Sequence, residues 1–241
     1  TNAQDRHTLD SVSGIRRLEL IPIGSNITPR LPDGYDRETW RRRWGVNSRS
    51  MLLCYFGFLN ESKGGEELIE ALAMVLGRQI PAHLMMIGGT VGASDPTNRL
   101  YLERVEALIQ ERGLRDNVFW TGYMPNEEVS AAFLSSDACV LPFRDGASFR
   151  RGSLMAALAH GLPVVSTIPQ VPTPELVPDV NVLLVPPNDA GALADAIQRL
   201  WENRELATQI GSGAEELSRL FDWEPIADRM LRVLSDVCGP A

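Results

Sequence analysis

The sequence predicts an α/β protein built on a doubly wound parallel sheet. Short, continuously apolar segments of strand length alternate with amphipathic helical segments about six times along the chain. Strands that are apolar on both faces are typical of a parallel sheet covered by helices on both sides. Repeated alternation requires right-handed crossovers, and the ligands of such sheets bind at the carboxyl ends of the strands.

The first third of the chain sets this pattern. Residues 17–27 are apolar and run into a Pro/Gly turn, which predicts a short strand, and residues 35–45 are predicted to form a charged helix that Gly45 ends. The segment MLLCYFG at 51–57 is the clearest central strand, because it is apolar throughout. A helix over about residues 66–78 follows, with its leucines and Val75 on one face.

The rest of the chain repeats the same unit. Further strands are predicted over 83–87, 118–121, 138–142, 163–166 and 182–185. Helices are predicted over 97–112, after Asn126 as N-cap, within 152–160, after Asp189 as N-cap, and over 204–220 and 223–237. The final helix carries a stripe of apolar residues at helical spacing, Ile226, Met230, Val233 and Leu234.

Composition excludes several classes of function. The chain has 44% hydrophobic and 22% charged residues, a formal net charge of −8 and a pI near 5.0. This acidic balance argues against a nucleic-acid partner and against a broadly basic membrane-binding surface, but a small anion needs only a local basic pocket. Cys54 and Cys139 lie in strand-like segments and are predicted to be buried thiols in a reducing compartment. The histidines have no metal-ligand spacing, and His160 is interpreted as a helix-capping or core residue.

The segment LPFRDGASFRRGSLMAALAHGLPVVST at 141–167 holds the main candidate site. It reads as strand, loop, helix and strand, and the free N–H groups at the start of the helix suit an anion. The alternative is an ordinary strand-to-helix turn with two solvated arginines. The candidate residues are Asp145, Ser148, Arg150, Arg151, Gly152 and Ser153.

Two other strand ends are unusual. Gly57 is followed by FLNESKGG, in which Lys63 precedes the next helix and could meet a phosphate together with free N–H groups; a solvated lysine beside a helix cap is the alternative. A Gly-Gly pair follows the strand at 83–87. Motifs for a P-loop, a dinucleotide-binding G-x-G-x-x-G, a metal-binding D-x-D and a G-x-S-x-G nucleophile are absent, which argues against kinase, dehydrogenase and hydrolase functions.

Taken in order, these segments resemble the C-terminal, donor-binding half of a retaining glycosyltransferase of the GT-B fold, family 4 (group 1). The resemblance covers about residues 21–234 and is specific through the order and spacing of its motifs. The matching segments are IPIGSN at 21–26, GFLNESKG at 57–64, NVFWTGYMPNEEVSAAFLSSDACVLP at 117–142, LAHGLPVVST at 158–167, VLLVPPNDAGALADAI at 182–197 and FDWEPIA at 221–227.

The resemblance implies a Rossmann-like domain over 15–241 that binds a nucleotide sugar, with residues 1–14 as the remnant of an upstream segment. An N-terminal acceptor-binding domain would lie outside this chain, and this part alone is not expected to turn over. The implied reaction is transfer of a hexose from a nucleotide sugar to a glycan or lipid, with retention and without a bound metal or other cofactor. The family implies polysaccharide synthesis in the cytoplasm or at the inner face of the membrane, with peripheral membrane association through the missing domain.

The resemblance also assigns roles at the site. The family's two glutamates, eight positions apart, are Ser148 and Ala156 here, and its arginine after the first glycine is Phe58, whereas its lysine is kept as Lys63. We hypothesise that Asp145 contacts the sugar in place of the first glutamate and that the two arginines supply the missing positive charge. The implied donor and phosphate residues are Gly57, Phe58, Lys63, Arg150, Arg151, Gly152 and Ser153. Asp145 and Ser148 would face the sugar, and the backbone of Gly122 and Tyr123 would face the nucleobase.

Two alternatives remain open at this point. The loss of both glutamates favours a non-catalytic binding or scaffold domain that kept the fold and lost the donor chemistry. A GT-B sugar-nucleotide epimerase is the other alternative, but it would need carboxylates and histidines that are scarce in these segments.

Overall fold

The predicted doubly wound sheet is confirmed by a computed structural model, which describes residues 3–15, 17–89 and 96–238. Six strands form one sheet in the order β3-β2-β1-β4-β5-β6, and every neighbouring pair is parallel. The strands are β1 (Met51–Phe56), β2 (Ala82–Ile87), β3 (Val118–Trp120), β4 (Ala138–Leu141), β5 (Val164–Thr167) and β6 (Leu183–Val185).

The helices cover both faces of this sheet. They are α1 (Ala3–Asp10), α2 (Arg37–Arg43), α3 (Gly65–Gly77), α4 (Pro96–Glu111), α5 (Asn126–Ser135), α6 (Gly152–Ala159), α7 (Ala190–Glu202), α8 (Arg204–Ser218) and α9 (Trp223–Cys238). Helix α3 packs on α4 and α7, α6 packs on α8, and α2 packs on α5. The strand order runs outward from β1 in one direction and from β4 in the other. The crossovers after β1 and β4 therefore lead in opposite directions, and the carboxyl ends of these two strands mark the crevice where α/β sheets bind ligands.

The central strands form the core. Leu52, Leu53 and Tyr55 of β1 are fully buried, as the continuous apolar sequence predicts. Cys54 lies opposite Cys139 in the β1–β4 register, and both are buried free thiols, which confirms that part of the prediction made for them. Burial raises the pKa of Cys139, and the neighbouring Cys54 raises it further, so this thiol stays protonated at neutral pH.

The strand predicted over 17–27 is wrong. This segment pairs with no strand and instead runs along the start of α9, where the Trp223 indole N–H donates to the Ser25 carbonyl over 2.8 Å. A Cβ on Gly24 would lie 2.6 Å from the Trp223 ring, so the chain passes directly over the indole. The segment is therefore held against a distant helix and its Ile23 is half exposed, which local sequence cannot distinguish from a buried strand.

Two smaller expectations also change. Pro125 is the N-cap of α5 and Asn126 is its first residue, so Asn126 does not cap this helix as predicted, whereas Asp189 caps α7 through a 2.8 Å bond to the Ala192 N–H. The apolar stripe of α9 is mostly uncovered: Ile226 is buried, but Met230 and Leu234 are about half exposed. Among the described residues, no helix combines the length and apolar character needed to cross a bilayer.

A buried ion pair fastens α2 to the sheet. Arg41 donates to Asp137 over 3.0 Å and to the carbonyls of Ser135 and Ser50 over 2.9 and 2.6 Å. The Asp137 carboxylate also accepts the Leu52 N–H at the start of β1 over 2.7 Å. One arginine and one aspartate thus connect α2, the β1 start and the α5–β4 turn.

Replacing Arg41 by Ala should destabilise the protein strongly, because two carbonyls lose their cationic donor and the largely buried Asp137 carboxylate keeps only the half-exposed Arg37 as its cationic partner. We expect a loss of about 3 kcal/mol in the free energy of unfolding, measured by urea denaturation. Arg42→Ala is the matched control, since Arg42 is exposed on the same helix and should change stability by less than about 0.5 kcal/mol. Equal losses for both variants would contradict the structural role of Arg41.

Gly64 and Gly113 have nearly the same backbone conformation but different surroundings. Their φ angles are +67° and +68°, and a Cβ on Gly64 would lie 2.0 Å from the Pro142 carbonyl oxygen, whereas no described atom lies within 4 Å of one on Gly113. Gly113→Ala should therefore lose only the left-handed strain, about 1 kcal/mol. Gly64→Ala should lose about 2 kcal/mol more, because the β4 exit must move. Urea unfolding of both variants measures the difference, and similar losses would show that the two loops separate without cost.

Candidate functional site

Three glycines lie side by side where β1, β2 and β3 end. Gly57, Gly88 and Gly122 have φ angles of +113°, +106° and +66°, a region that glycine tolerates best. Gly88 and Gly122 form an isolated bridge, and a Cβ on Gly88 would lie 3.8 Å from the Gly57 nitrogen. This edge of the sheet is therefore lined by backbone alone, and a ligand can approach it closely.

Lys63 lies in the loop that follows β1. Its Nζ donates to the Phe58 carbonyl over 2.7 Å and would lie 3.3 Å from a Cβ on Gly57. Burial lowers the pKa of Lys63, and the positive charge of Arg151 lowers it further. Across the described ranges, no acidic side chain forms an ion pair with this ammonium, so its charge is compensated only by a carbonyl dipole.

The loop after β4 packs directly on the loop after β1. The backbone N–H of Arg144 donates to the Ser62 carbonyl over 2.8 Å, and the Pro142 carbonyl leaves no room for a side chain at position 64. The Arg144 guanidinium points away from the crevice and pairs with three carboxylates, Glu61, Glu66 and Glu67. Arg144 therefore stabilises the junction of the two loops and is not available to a ligand.

Arg151 provides the second cation at the crevice. Its side chain forms an ion pair with Asp145, and its guanidinium carbon lies 4.8 Å from the centroid of the Phe143 ring. The loops after the neighbouring strands β1 and β4 pack on each other, so Lys63 and Arg151 belong to the same edge of the sheet, and the positive charge of Arg151 lowers the pKa of Lys63. Asp145 pairs with Arg151 and no acidic side chain in the described ranges pairs with Lys63, so this edge favours an added anion.

Arg151 is also the N-cap of α6, and no side chain caps this helix. In the part of the chain that the structure describes, the N–H groups of Gly152 and Ser153 meet no hydrogen-bond acceptor. These donors and the positive end of the helix dipole follow Arg151 directly in the chain. Gly152 and Ser153 therefore begin the helix where the sequence predicts it.

A cavity of about 780 Å³ opens beside Arg151. One wall is the loop that contains Asp145, Ser148, Arg150 and Arg151, so the structure brings these four predicted residues together. The loop is shaped by the Ser148 hydroxyl, which accepts the Arg150 N–H over 3.3 Å. The opposite walls come from Gln170–Glu175, from Leu20 and Pro22, and from Leu220, Phe221 and Arg229.

The cavity walls beyond the loop are residues that the sequence analysis missed. Gly146 has a φ of +81°, and a Cβ there would lie 2.6 Å from the Ile168 carbonyl oxygen, which fixes the 168–175 segment against the loop. Glu175 lies in this segment, and no described side chain or backbone group binds its carboxylate. No local motif marks these residues, because they reach the site only through the packing of the β5 exit.

The remaining predicted residues lie outside this cavity, on the β1–β3 side. Phe58 is 51% exposed, and its ring lies against Gly89, where a Cβ would come within 2.8 Å of the ring. Tyr123 is 90% exposed beyond Gly122. Lys63 lies against Gly57 on this side of the sheet. It is also close enough to Arg151 for that positive charge to lower the pKa of Lys63.

Ser148 and Ala156, the positions where the family resemblance implies glutamates, differ in their surroundings. Ser148 lines the cavity, whereas Ala156 is fully buried inside α6. The Ala156 carbonyl lies 2.7 Å from His160 Nδ1, and His160 Nε2 lies 2.9 Å from the Ser130 hydroxyl. Burial lowers the pKa of His160, which is the C-cap of α6, so its interpretation as a capping and core residue is confirmed. Nowhere in residues 3–15, 17–89 and 96–238 do three His, Cys, Asp or Glu side chains form a group that could hold a metal ion.

Comparison with known proteins identifies the family. The family model described as "Glycosyl transferases group 1" matches residues 36–217. A D-inositol 3-phosphate glycosyltransferase of Corynebacterium jeikeium is 27% identical over 227 residues, which cover 91% of this chain and 52% of the relative. This chain therefore spans about half the length of that curated relative.

Solved structures show the same fold. Sucrose-phosphate synthase from Thermosynechococcus elongatus superposes with a TM-score of 0.78 at 30% identity, over 98% of this chain and 57% of that one. Anabaena HepE, in a crystal structure with UDP and glucose, superposes with a TM-score of 0.77 at 23% identity, over 90% of this chain and 57% of that one. The family model matches most of this chain, so the chain belongs to the group 1 glycosyl transferases. It has the fold of their GT-B C-terminal domain.

Proposed function

We propose that this chain is the donor-binding half of a retaining glycosyltransferase that uses a nucleotide sugar. The observation that supports this most directly is the contact between the loop after β1, which carries Lys63, and the loop after β4, which leads to Arg151 and its cavity. The acceptor, a glycan or lipid, would bind to an N-terminal domain outside this chain. The family membership and the UDP named in the HepE structure support the same proposal.

The diphosphate is the part of the donor that the cations suit best. Lys63 is partly buried and has no acidic partner among the described residues, so a diphosphate would supply the negative charge that its surroundings lack. The free N–H groups at the start of α6 add donors on the same side. When the sugar–phosphate bond breaks, charge accumulates on the diphosphate leaving group, and Lys63, Arg151 and α6 would stabilise it. We propose that this role is filled without a metal ion.

The ion pair between Asp145 and Arg151 refines the hypothesis made for the sugar. The Asp145 carboxylate is bound to Arg151 in the structure. A diphosphate that recruits Arg151 would release this carboxylate, which could then accept hydrogen bonds from sugar hydroxyls in the adjoining cavity. Asp145 and Ser148 would thus face the sugar, and Arg150 lies in the same wall. The nucleoside would extend to the opposite side, toward Gly122 and Tyr123.

A non-catalytic scaffold is the second candidate. It is favoured by one observation: Ser148 and Ala156 provide no carboxylate, and Ala156 is fully buried. The retained Lys63 and Arg151 favour donor binding instead.

For the complete enzyme we propose synthesis of a polysaccharide or glycolipid by transfer of a hexose, in the cytoplasm at or near the inner membrane face.

Donor binding can be tested by calorimetry with UDP, GDP and their sugar derivatives. Lys63→Met and Arg151→Ala should each weaken nucleotide binding roughly 10- to 100-fold, because each removes a charge-assisted contact to the diphosphate. Arg150→Ala tests the other arginine of the loop. Arg115→Ala is the matched control, because Arg115 is exposed and precedes β3 at the opposite edge of the sheet.

The scaffold alternative predicts a different result. If the wild-type protein binds none of these nucleotides, or if affinity is unchanged in both arginine variants of the loop, the proposed donor site is wrong. A loss of affinity in Arg115→Ala equal to that in Arg151→Ala would indicate a nonspecific effect of net charge.

Nucleotide affinity should also fall at alkaline pH. Only the protonated ammonium of Lys63 binds a phosphate, and burial lowers its pKa from the ordinary value of 10.5, so its charge is lost earlier than for an exposed lysine. We expect UDP or GDP affinity to decline as pH rises toward that value. In Lys63→Arg, which stays charged, the decline should disappear. An identical pH profile for both proteins would show that Lys63 does not contact the nucleotide.

A further inference from the structure

Phe58 is an aromatic residue that the fold holds half exposed at the ligand edge of the sheet. Phe58 is 51% exposed, although residues 52–55 of β1 are fully buried. The Phe58 carbonyl accepts two hydrogen bonds, from the Tyr55 hydroxyl over 3.1 Å and from Lys63 Nζ over 2.7 Å. Since Tyr55 is buried in the core, these bonds hold the backbone at position 58 at the edge of the sheet.

The surroundings of the ring leave one side open. On its inner side the ring lies on Gly89, where an added Cβ would come within 2.8 Å of Cε1. The Phe58 ring therefore packs against the Gly89 backbone, and a side chain at position 89 would have to displace the ring. The phenyl group has no hydrogen-bonding atoms, so it cannot replace the phosphate contact of an arginine at this position.

The ring also has a defined position relative to the cations. The Lys63 ammonium binds the Phe58 carbonyl, whereas Arg151 and Asp145 line the polar cavity on the β4 side of the site. Gly89 follows Gly88, which bridges to Gly122 on the opposite side. A diphosphate on the two cations would therefore have a polar cavity on one side, suited to a sugar, and an exposed aromatic ring on the other.

We propose that Phe58 is a stacking platform for the nucleobase of the donor, an inference that rests on the proposed function of this site. Every nucleobase has a π face, so an aromatic platform contributes affinity without selecting one base. Stacking of a base on an aromatic side chain typically changes affinity about 5- to 100-fold. Phe58 would thus trade a phosphate contact for a base contact, while Arg151 carries the phosphate charge.

The experiment compares nucleotides with a ligand that has only the anion. Binding of UDP, GDP and inorganic pyrophosphate to the 241-residue chain is measured by calorimetry for the wild type, Phe58→Leu and Phe58→Tyr. Phe58→Leu keeps an apolar side chain but removes the ring, whereas Phe58→Tyr keeps the ring. We expect Phe58→Leu to weaken UDP or GDP about 5- to 100-fold, with pyrophosphate affinity unchanged and nucleotide affinity retained in Phe58→Tyr.

Each other outcome overturns the inference. Unchanged nucleotide affinity in Phe58→Leu would show that the base does not contact the ring. Equal losses for nucleotides and pyrophosphate would show that the ring only shapes the Lys63 loop. If the wild type binds pyrophosphate but no nucleotide, the proposed function itself fails, and the pyrophosphate result separates that failure from the failure of stacking alone.

Discussion

The site depends on one close contact between two backbones. The loop after β1 and the loop after β4 meet where Gly64 lies against the Pro142 carbonyl, with no space for even a methyl group between them. Arg144 reinforces this junction through its carboxylate partners. Because the two loops are held together here, Lys63 and Arg151 approach each other from different strands, and the charge density that suits a diphosphate is built into the fold.

The sequence was sufficient to predict the sheet, because its strands are buried on both faces and this burial leaves a local signature. It was not sufficient for residues 17–27, whose apolar residues resemble a strand, whereas the segment is held by Trp223, about two hundred residues later in the chain. The half-exposed stripe of α9 shows the same limit: periodicity predicts an apolar face but not what covers it.

For the site, the residue types were predictable and their partners were not. Lys63 and Arg151 were identified from their positions at helix starts, which follow from the parallel topology. Two arginines of one loop, seven positions apart, have separate roles that spacing cannot reveal: Arg144 is bound by glutamates, whereas Arg151 pairs with Asp145 and lines the cavity. The far wall of the cavity, including Glu175, depends on how the β5 exit packs against Gly146, which is a tertiary contact without a local motif.

The ion pair between Arg151 and Asp145 has a consequence for selectivity among the anions of the cell. An anion that engages Arg151 must displace a carboxylate that is already in place, and a singly charged species gains little by that exchange. A diphosphate brings enough charge to satisfy Arg151 and Lys63 together. We expect the Asp145 carboxylate to compete with abundant singly charged anions for Arg151 and so to disfavour their binding, independently of any recognition of base or sugar.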